Sequence, residues 1–287
     1  MRAGSAGVRQ NHPVASRPGT PGFRCPVCRQ PLADVTGGLA CPAGHRFDLA
    51  REGYVHLLAG GGGGGRGGRG GRRPAGDDAD AVRARRAVFD RGQYAPVVEA
   101  VAAAAAAGPV PAEILDAGCG EGTYLAAATA ATGARGWGVD VSKPAVRLAA
   151  RRHPEHRYAV ASSLDLPFGD GVLDTVLSVF APRAFAEFAR VLRPGGALVL
   201  ASPGPRHLDG VRALLDRDAR SAAPRRHVEG DGVPPPRRRE RVTYPLTLTG
   251  ADEVRDLVAM TPWQAFAAGR ELPERLETTV DVWVTTH

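Results

Sequence analysis

The chain has 287 residues, of which 43% are hydrophobic, and a formal net charge of +7. This length suits one α/β domain with an accessory module, and the lack of an apolar run near the ~18 residues of a membrane helix excludes a membrane-spanning protein. Residues 1–22 are polar and irregular, without the apolar core of a secretory signal, so we expect a disordered extension on a cytoplasmic protein. The positive charge favours a polyanionic partner, although part of the arginine content reflects a GC-rich composition.

Residues 23–58 contain a set of metal ligands at regular spacing. Cys25 and Cys28 form a CxxC knuckle, and Cys41 and His45 follow after twelve intervening residues. Three thiolates and one imidazole form a closed tetrahedral set for structural zinc, since a catalytic zinc keeps one position open for water. The fourth cysteine, Cys119, lies in a glycine turn and is interpreted as a small turn residue.

A low-complexity segment, residues 59–77, follows the zinc module and is predicted to be a Gly/Arg-rich linker. Its arginines could contact phosphate, or the tract could be an expanded loop in a GC-rich gene. Residues 78–287 then form the predicted catalytic domain, which begins with a helical region over residues 78–107.

A nucleoside pocket is predicted where an apolar strand enters the sequence DAGCGEG at residues 116–122. Glycines there let the backbone approach a ligand at positions where a Cβ would collide. Asp140 ends the next strand, 24 residues after Asp116, which is about one β-α-β unit, and it can accept hydrogen bonds from both ribose hydroxyls. An acid at the turn favours S-adenosylmethionine over a dinucleotide, because S-adenosylmethionine has no pyrophosphate.

Strands and helices alternate through the rest of the domain and predict a doubly wound α/β sheet of seven strands. The predicted strands are 114–116, 136–141, 157–161, 173–180, 197–202, 241–249 and 276–286. The predicted helices after the first are 124–132, 144–153, 184–192, 207–217 and 251–260, and an exposed loop is predicted over 220–240.

The chain resembles the zinc-containing 23S ribosomal RNA guanine-N1 methyltransferases, a family that includes the tylosin-resistance methyltransferases. The resemblance runs from about Phe23 to the C-terminus, without the glycine tract. Its matching segments include CPAGHRFDLAREGYVHLL, VRARR, VASSLDLPF, VFAPR, SPGPRHL and AMTPW. The zinc module joined to EGYV, VRARR, SPGPRHL and MTPW is the specific part, whereas the glycine turn and RPGG are general features of class I methyltransferases.

The resemblance implies a class I methyltransferase fold, with a Rossmann-like sheet and an N-terminal zinc module that recognises RNA. It implies methyl transfer from S-adenosylmethionine to N1 of a guanine in a 23S rRNA hairpin loop, with macrolide resistance and a homodimer as further expectations. The implied zinc ligands are Cys25, Cys28, Cys41 and His45. The expected cofactor-binding residues are Asp116, Gly118, Gly120, Glu121, Gly122, Tyr124, Asp140 and Ser162.

The loop after the fourth predicted strand is where class I enzymes hold the target. Phe180 is expected to stack on the guanine or, equally, to be a core aromatic at a strand end, and Pro182 is expected to help position the base. An unpaired loop guanine can be splayed out at low cost. The expected phosphate contacts are Arg83, Arg85, Arg86, Arg183, Arg206 and His207.

Two other functions are compatible with these residues. One is a class I methyltransferase that acts on a small molecule or a protein, with the zinc module as a stability element. The other is a non-catalytic RNA-binding protein with a vestigial cofactor fold, against which the intact glycine turn and Asp140 argue.

Overall fold

A computed structural model of the chain describes residues 22–58, 76–215 and 235–287. The predicted N-terminal extension apart from Gly22, the 59–77 linker apart from its last two residues, and most of the predicted 220–240 loop lie outside these ranges. The end of that loop prediction is wrong, because Arg238 already begins a strand. No helix in the described ranges has the length and apolar content needed to cross a membrane.

The zinc module contains a small antiparallel sheet of three strands. These are β1 (Ala33–Val35), β2 (Gly38–Ala40) and β3 (Arg46–Asp48), in the order β1-β2-β3. A Cβ at Gly38 would overlap the carbonyl oxygen of Phe47, so glycine lets β2 and β3 approach. The fourth strand of the module, β4 (Val55–His56), leaves this sheet and joins the catalytic domain.

The catalytic domain is built on a mixed sheet with the order β10-β11-β9-β8-β5-β6-β7-β4. Its other strands are β5 (Glu113–Ala117), β6 (Arg135–Asp140), β7 (Arg157–Val160), β8 (Leu173–Val179), β9 (Leu192–Pro203), β10 (Arg238–Thr249) and β11 (Arg275–Thr286). The seven predicted strands are all present. The structure adds an eighth, because Val55 and His56 of β4 pair in parallel with Ala159 and Val160 of β7.

Strands β4 to β9 run parallel, and β11 runs antiparallel to both β9 and β10. Strand order reverses between β5 and β8, so the carboxyl ends of β5, β6 and β8 surround the crevice where such sheets bind ligands.

The helices are α1 (Ala79–Asp90), α2 (Ala95–Ala105), α3 (Thr123–Thr132), α4 (Lys143–Arg152), α5 (Phe185–Val191), α6 (Asp209–Leu214), α7 (Ala251–Ala259) and α8 (Gln264–Ala267). The helical region predicted over 78–107 is present and consists of two helices, α1 and α2. Gly92 between them has a left-handed backbone with φ of 72°, and Pro96 lies in the first turn of α2. Glycine ends a helix in this conformation, and proline is tolerated at the start of the next.

The zinc module shares a hydrophobic core with the sheet. The ring of Phe23 lies 5.2 Å from that of Trp137 and 5.3 Å from that of Phe168. The same buried cluster contains Leu115 of β5. Arg29 adds a two-pronged hydrogen bond to Asp165, with distances of 2.8 and 2.7 Å. The module is therefore fixed to one edge of the catalytic domain by strand pairing, aromatic packing and an ion pair.

Candidate functional site

The glycine turn connects β5 to α3 at the carboxyl edge of the sheet. Gly118, Gly120 and Gly122 have φ values of 97°, 54° and 89°, in the left-handed region that favours glycine. A Cβ on Gly118 would overlap the Cβ of Ala181, in the loop after β8. The cofactor turn and the predicted target loop are thus in direct contact.

Asp140 holds the turn to the loop that follows β6. Its Oδ2 accepts the Gly120 N–H at 3.0 Å, and its Oδ1 accepts the Ser142 N–H at 2.8 Å. Burial raises the pKa of Asp140, while these two backbone bonds lower it in part. Each carboxylate oxygen keeps a second lone pair, which suits acceptance from ribose hydroxyls.

Asp116 is a buried acid without a partner. It is 1% exposed, and neither carboxylate oxygen has a hydrogen bond within the described ranges. Burial, together with the charges of Asp140 and Glu121, raises its pKa well above the usual range. Buried carboxylates in proteins are normally paired, so an unpaired one beside a glycine turn indicates a ligand that supplies a donor or a positive charge. The sulfonium and ammonium groups of S-adenosylmethionine fit this requirement.

The other expected cofactor residues lie around the same edge. Glu121 is 2% exposed and accepts a hydrogen bond from the Thr123 hydroxyl. Tyr124 is 9% exposed and packs edge-on against Phe89, with its hydroxyl unpartnered in the described part of the chain. Ser162 follows β7, and its Oγ accepts the Leu164 N–H at 3.1 Å. The structure therefore brings all the predicted cofactor residues to the carboxyl edge of β5, β6 and β7.

Phe180 has an unusual backbone at the end of β8. Its φ is 53°, which is rare for a residue with a large side chain, and its N–H donates to the Ala201 carbonyl at 3.1 Å. Its ring stacks on His207, with centroids 5.6 Å apart and planes 22° apart. Strained residues of this kind concentrate at functional sites. Pro182, two residues on, is exposed.

His207 is a buried neutral ring, which does not fit the predicted phosphate contact. It is 9% exposed, and burial lowers its pKa to about 4. The Asp281 N–H donates to its Nδ1 at 3.3 Å, so its Nε2 carries the proton and faces the Tyr94 hydroxyl, also at 3.3 Å. His207 therefore supports Phe180 from behind.

The predicted phosphate-binding arginines lie in different surroundings. Arg83 and Arg206 have side chains 70% and 66% exposed. The Arg86 side chain is 18% exposed and is paired with Asp90. Arg183 is half-buried. Arg85 is paired with Asp77, and its Nη1 lies 3.4 Å from the place a Cβ on Gly120 would take. Arg85, although part of α1, thus lies against the cofactor turn. Its position does not support the predicted RNA contact.

The four predicted zinc ligands form one cluster. Their ligand atoms all lie within 4.8 Å of one another. The closest pairs are Cys28 Sγ to Cys41 Sγ at 3.5 Å and Cys41 Sγ to His45 Nδ1 at 3.4 Å. A tetrahedral site with Zn–S bonds of about 2.3 Å needs sulfurs about 3.8 Å apart, so Cys25, Cys28, Cys41 and His45 fit structural zinc.

Asp77 and Ser142 are site residues that sequence reasoning missed. The Ser142 hydroxyl donates to the Asp77 carbonyl at 2.6 Å and also accepts the Ala145 N–H at 3.2 Å, which makes it the N-cap of α4. A serine before Lys-Pro is a recognisable start signal for a helix, and this signal could have identified Ser142. Asp77 has no such signal, because the hydroxyl that its carbonyl accepts belongs to Ser142, 65 residues away in sequence.

Replacing Asp116 with asparagine is expected to stabilise the ligand-free protein at neutral pH and to weaken cofactor binding. The pKa of Asp116 is raised in the folded state, so folding takes up protons and stability falls as pH rises above the unfolded-state pKa. This contribution is absent from the asparagine variant. Its melting temperature should exceed that of wild type at pH 7, and the difference should disappear near pH 3. We expect a loss of about 2 kcal/mol in S-adenosylmethionine binding.

Thermal melts of both proteins across that pH range, together with calorimetric titration of S-adenosylmethionine, provide the measurement. An equal melting difference at all pH values would show that the carboxylate is not the destabilising group.

Both parts of the chain match models of known protein families. A zinc-ribbon family model described as "RlmA, N-terminal" matches residues 23–59, and a model described as "Methyltransferase domain" matches residues 114–196. The 23S rRNA (guanine(748)-N(1))-methyltransferase of Streptomyces fradiae is 40% identical over 88% of this chain and 89% of its own length.

Two further relatives have names of the same kind. A Micromonospora griseorubida protein, named as a candidate 23S rRNA (guanine-N(1)-)-methyltransferase, is 40% identical over 80% of this chain and 84% of its own. Bacillus subtilis YxjB, named in the same way, is 34% identical over 69% of this chain and 70% of its own length. Given similarity to all three over most of its length, this chain belongs to the family of 23S rRNA (guanine-N1)-methyltransferases.

Proposed function

We propose that this protein transfers a methyl group from S-adenosylmethionine to N1 of one hairpin-loop guanine in 23S rRNA. The observation that carries the proposal is that the cofactor turn touches the target loop while the zinc module packs on the same sheet. The cofactor turn touches the target loop at Gly118 and Ala181, and the zinc module packs on the sheet through Phe23. The names of the curated relatives support the same substrate.

S-adenosylmethionine would supply an electrophilic methyl group on sulfur: the N1–CH3 bond forms as the S–CH3 bond breaks, the thioether leaves neutral, and the proton of guanine N1 is released to water. Because such a displacement requires mainly proximity and alignment, the protein's task is to hold two reactants in line. Asp140 orients the ribose, and Asp116 provides the negative charge that the cationic end of the cofactor needs. The contact between Gly118 and Ala181 fixes the distance from the turn to the target loop.

We infer that Phe180 holds the target guanine by stacking, with Pro182 shaping the same loop. His207 and Tyr94 support the ring from behind, and the strained backbone at Phe180 places it at the crevice. The proton on His207 Nε2 and the bond accepted by its Nδ1 leave this imidazole unable to act as the base for guanine N1. Arg83 and Arg206, whose side chains are exposed, are the better candidates for phosphate contacts.

Incubation of unmodified 23S rRNA with the protein and S-adenosylmethionine is expected to create one new reverse-transcription stop. Methylation at N1 blocks the Watson–Crick edge of guanine, so the stop should fall one nucleotide before the modified base. The relative named for guanine 748 makes that hairpin loop the first place to look. Phe180→Ala should lower kcat at least about tenfold, with less effect on RNA affinity, because a stacked base contributes ~1–3 kcal/mol.

Reactions without cofactor, and with Asp140→Ala, are the controls. A stop at adenine, or methyl label incorporated without any stop, would contradict the base or the atom. Methylation of a small molecule or a protein, but not of RNA, would favour the first alternative function. RNA retention without methyl transfer would favour the second.

Macrolide resistance and a homodimer, both implied by the resemblance, stay predictions. Tylosin susceptibility of a host that expresses the protein tests the first, and sedimentation equilibrium tests the second. An rRNA substrate also leads us to propose a cytoplasmic location.

A further inference from the structure

Arg85 lies inside the cofactor site although it belongs to a helix that precedes the catalytic strands. Its side chain is 24% exposed and forms an ion pair with Asp77. Its Nη1 lies 3.4 Å from the point that a Cβ on Gly120 would occupy. The guanidinium therefore covers the middle of the glycine turn.

The segment that carries Arg85 is fixed at its N-terminal end by two neighbouring residues. The Asp78 side chain accepts the N–H groups of Asp80 and Ala81, at 3.1 and 2.9 Å, and so caps α1. The Asp77 carbonyl accepts the Ser142 hydroxyl at 2.6 Å, which ties the same segment to the loop after Asp140. The start of α1 is thus joined to the loop after Asp140 by a hydrogen bond, and Arg85 is one turn further along the helix than Ala81.

The charges around Arg85 are mainly negative. Burial of the guanidinium acts to lower its pKa, but the charges of Asp77, Glu121 and Asp140 outweigh burial and raise it. The charges of Glu121 and Asp140 also act on Asp116 and help to raise its pKa. A ligand that entered this group of acids with a carboxylate of its own would be repelled unless a cation lay beside it.

S-adenosylmethionine has such a carboxylate, next to its ammonium group. An arginine presents five N–H donors in a planar fork that matches a carboxylate, and the bond to Asp77 uses Nη2. Nη1, on the side of the turn, is placed to donate to a second carboxylate.

We propose that Arg85 binds the carboxylate of the methionine end of S-adenosylmethionine, so that the helix α1 completes the cofactor site. The proposal rests on the cofactor of the proposed function but not on its RNA substrate. Asp116 takes the cationic side of the same end, Arg85 the anionic side, and Asp140 the ribose. The first arginines of VRARR thereby have separate roles, with Arg83 at the surface and Arg85 at the cofactor.

Two ligands that differ only at the carboxylate test this assignment. S-adenosylhomocysteine has the whole amino-acid end, and its decarboxylated analogue keeps the ammonium but lacks the carboxylate. Calorimetry with the full-length zinc-loaded protein, without RNA, should show that Arg85→Gln weakens S-adenosylhomocysteine binding about 10–100-fold, as expected for a charge-assisted pair. The affinity for the decarboxylated analogue should change less than about threefold. Arg83→Gln, two residues away on the exposed face, is the matched control and should leave both affinities unchanged.

An equal loss of affinity for both ligands in Arg85→Gln would overturn the proposal, because it would show that Arg85 only supports the structure of the glycine turn. Unchanged affinity for S-adenosylhomocysteine would also overturn the proposal, and a separate RNA-binding assay that showed weaker retention of Arg85→Gln would then restore the phosphate role. Arg85→Lys keeps the positive charge but lacks the planar guanidinium. The folded variant should bind S-adenosylhomocysteine more tightly than Arg85→Gln and less tightly than wild type. Since no RNA is present, a failure of rRNA methylation would not affect this result.

Discussion

Gly118→Ala is expected to abolish detectable cofactor binding and methyl transfer. The new methyl group would overlap the Cβ of Ala181, and φ at this position is 97°, where a side chain is strained. Neither group can move freely, because β5 and β8 on either side are paired in the centre of the sheet. The turn and the target loop must therefore separate, and the cofactor loses its close backbone approach.

Gly133→Ala is the matched control for this variant. Gly133 ends α3 with φ of 75°, but nothing lies within 4 Å of the Cβ that would be added. It should lose about 1 kcal/mol of stability through backbone strain and still bind S-adenosylmethionine. Calorimetry and thermal melts of both variants give the comparison. Wild-type affinity in Gly118→Ala would refute the close contact of the two loops.

Loss of zinc is expected to destabilise the catalytic domain as well as the zinc module. A module of this size has too small a core to fold without its metal, and structural zinc contributes about 10–16 kcal/mol in isolated zinc-finger peptides. Cys28→Ser removes one ligand of the closed set. When the module unfolds, Phe23 leaves its contacts with Trp137 and Phe168, a loss comparable to truncation of a buried phenylalanine at about 3–5 kcal/mol.

The melting temperature of the Cys28→Ser protein should therefore fall by roughly 10 °C, at about 2–4 °C for each kcal/mol. Val27→Ser is the control, because Val27 lies in the same knuckle, is 66% exposed and is not among the cluster of metal ligands. Metal analysis should find one zinc per chain in the control and less than half an equivalent in Cys28→Ser.

Trp137 provides a second signal for the same prediction. It is 2% exposed and lies directly under Phe23. With Trp263 and Trp283 replaced by phenylalanine, its emission should shift to longer wavelength in Cys28→Ser but not in Val27→Ser. A metal-free protein with unchanged emission and melting temperature would show that the module and the sheet fold independently.

The cluster of four metal-ligand residues and the position of Asp140 beside the glycine turn were predictable, because short stretches of chain set their geometry. Cys25 and His45 are only 20 residues apart, so their spacing alone indicates a tetrahedral set. Asp116 and Asp140 lie on neighbouring parallel strands joined by one helix, and the length of that unit fixes their separation in space. The alternating apolar and polar patterns likewise predicted the succession of strands and helices along the catalytic domain.

Tertiary structure alone decided which side chains meet across long loops. Strand β4 has two residues, too few for a periodic pattern, and it joins the sheet only because β7 offers a free edge. His207 is buried against β11, where the Asp281 N–H, 74 residues away in sequence, donates to its ring. Arg85 looked like its neighbour Arg83 in sequence, since both are basic residues at the start of one helix. Which of them enters the cofactor site depends on the face that α1 turns towards Gly120, and packing, rather than local sequence, sets that face.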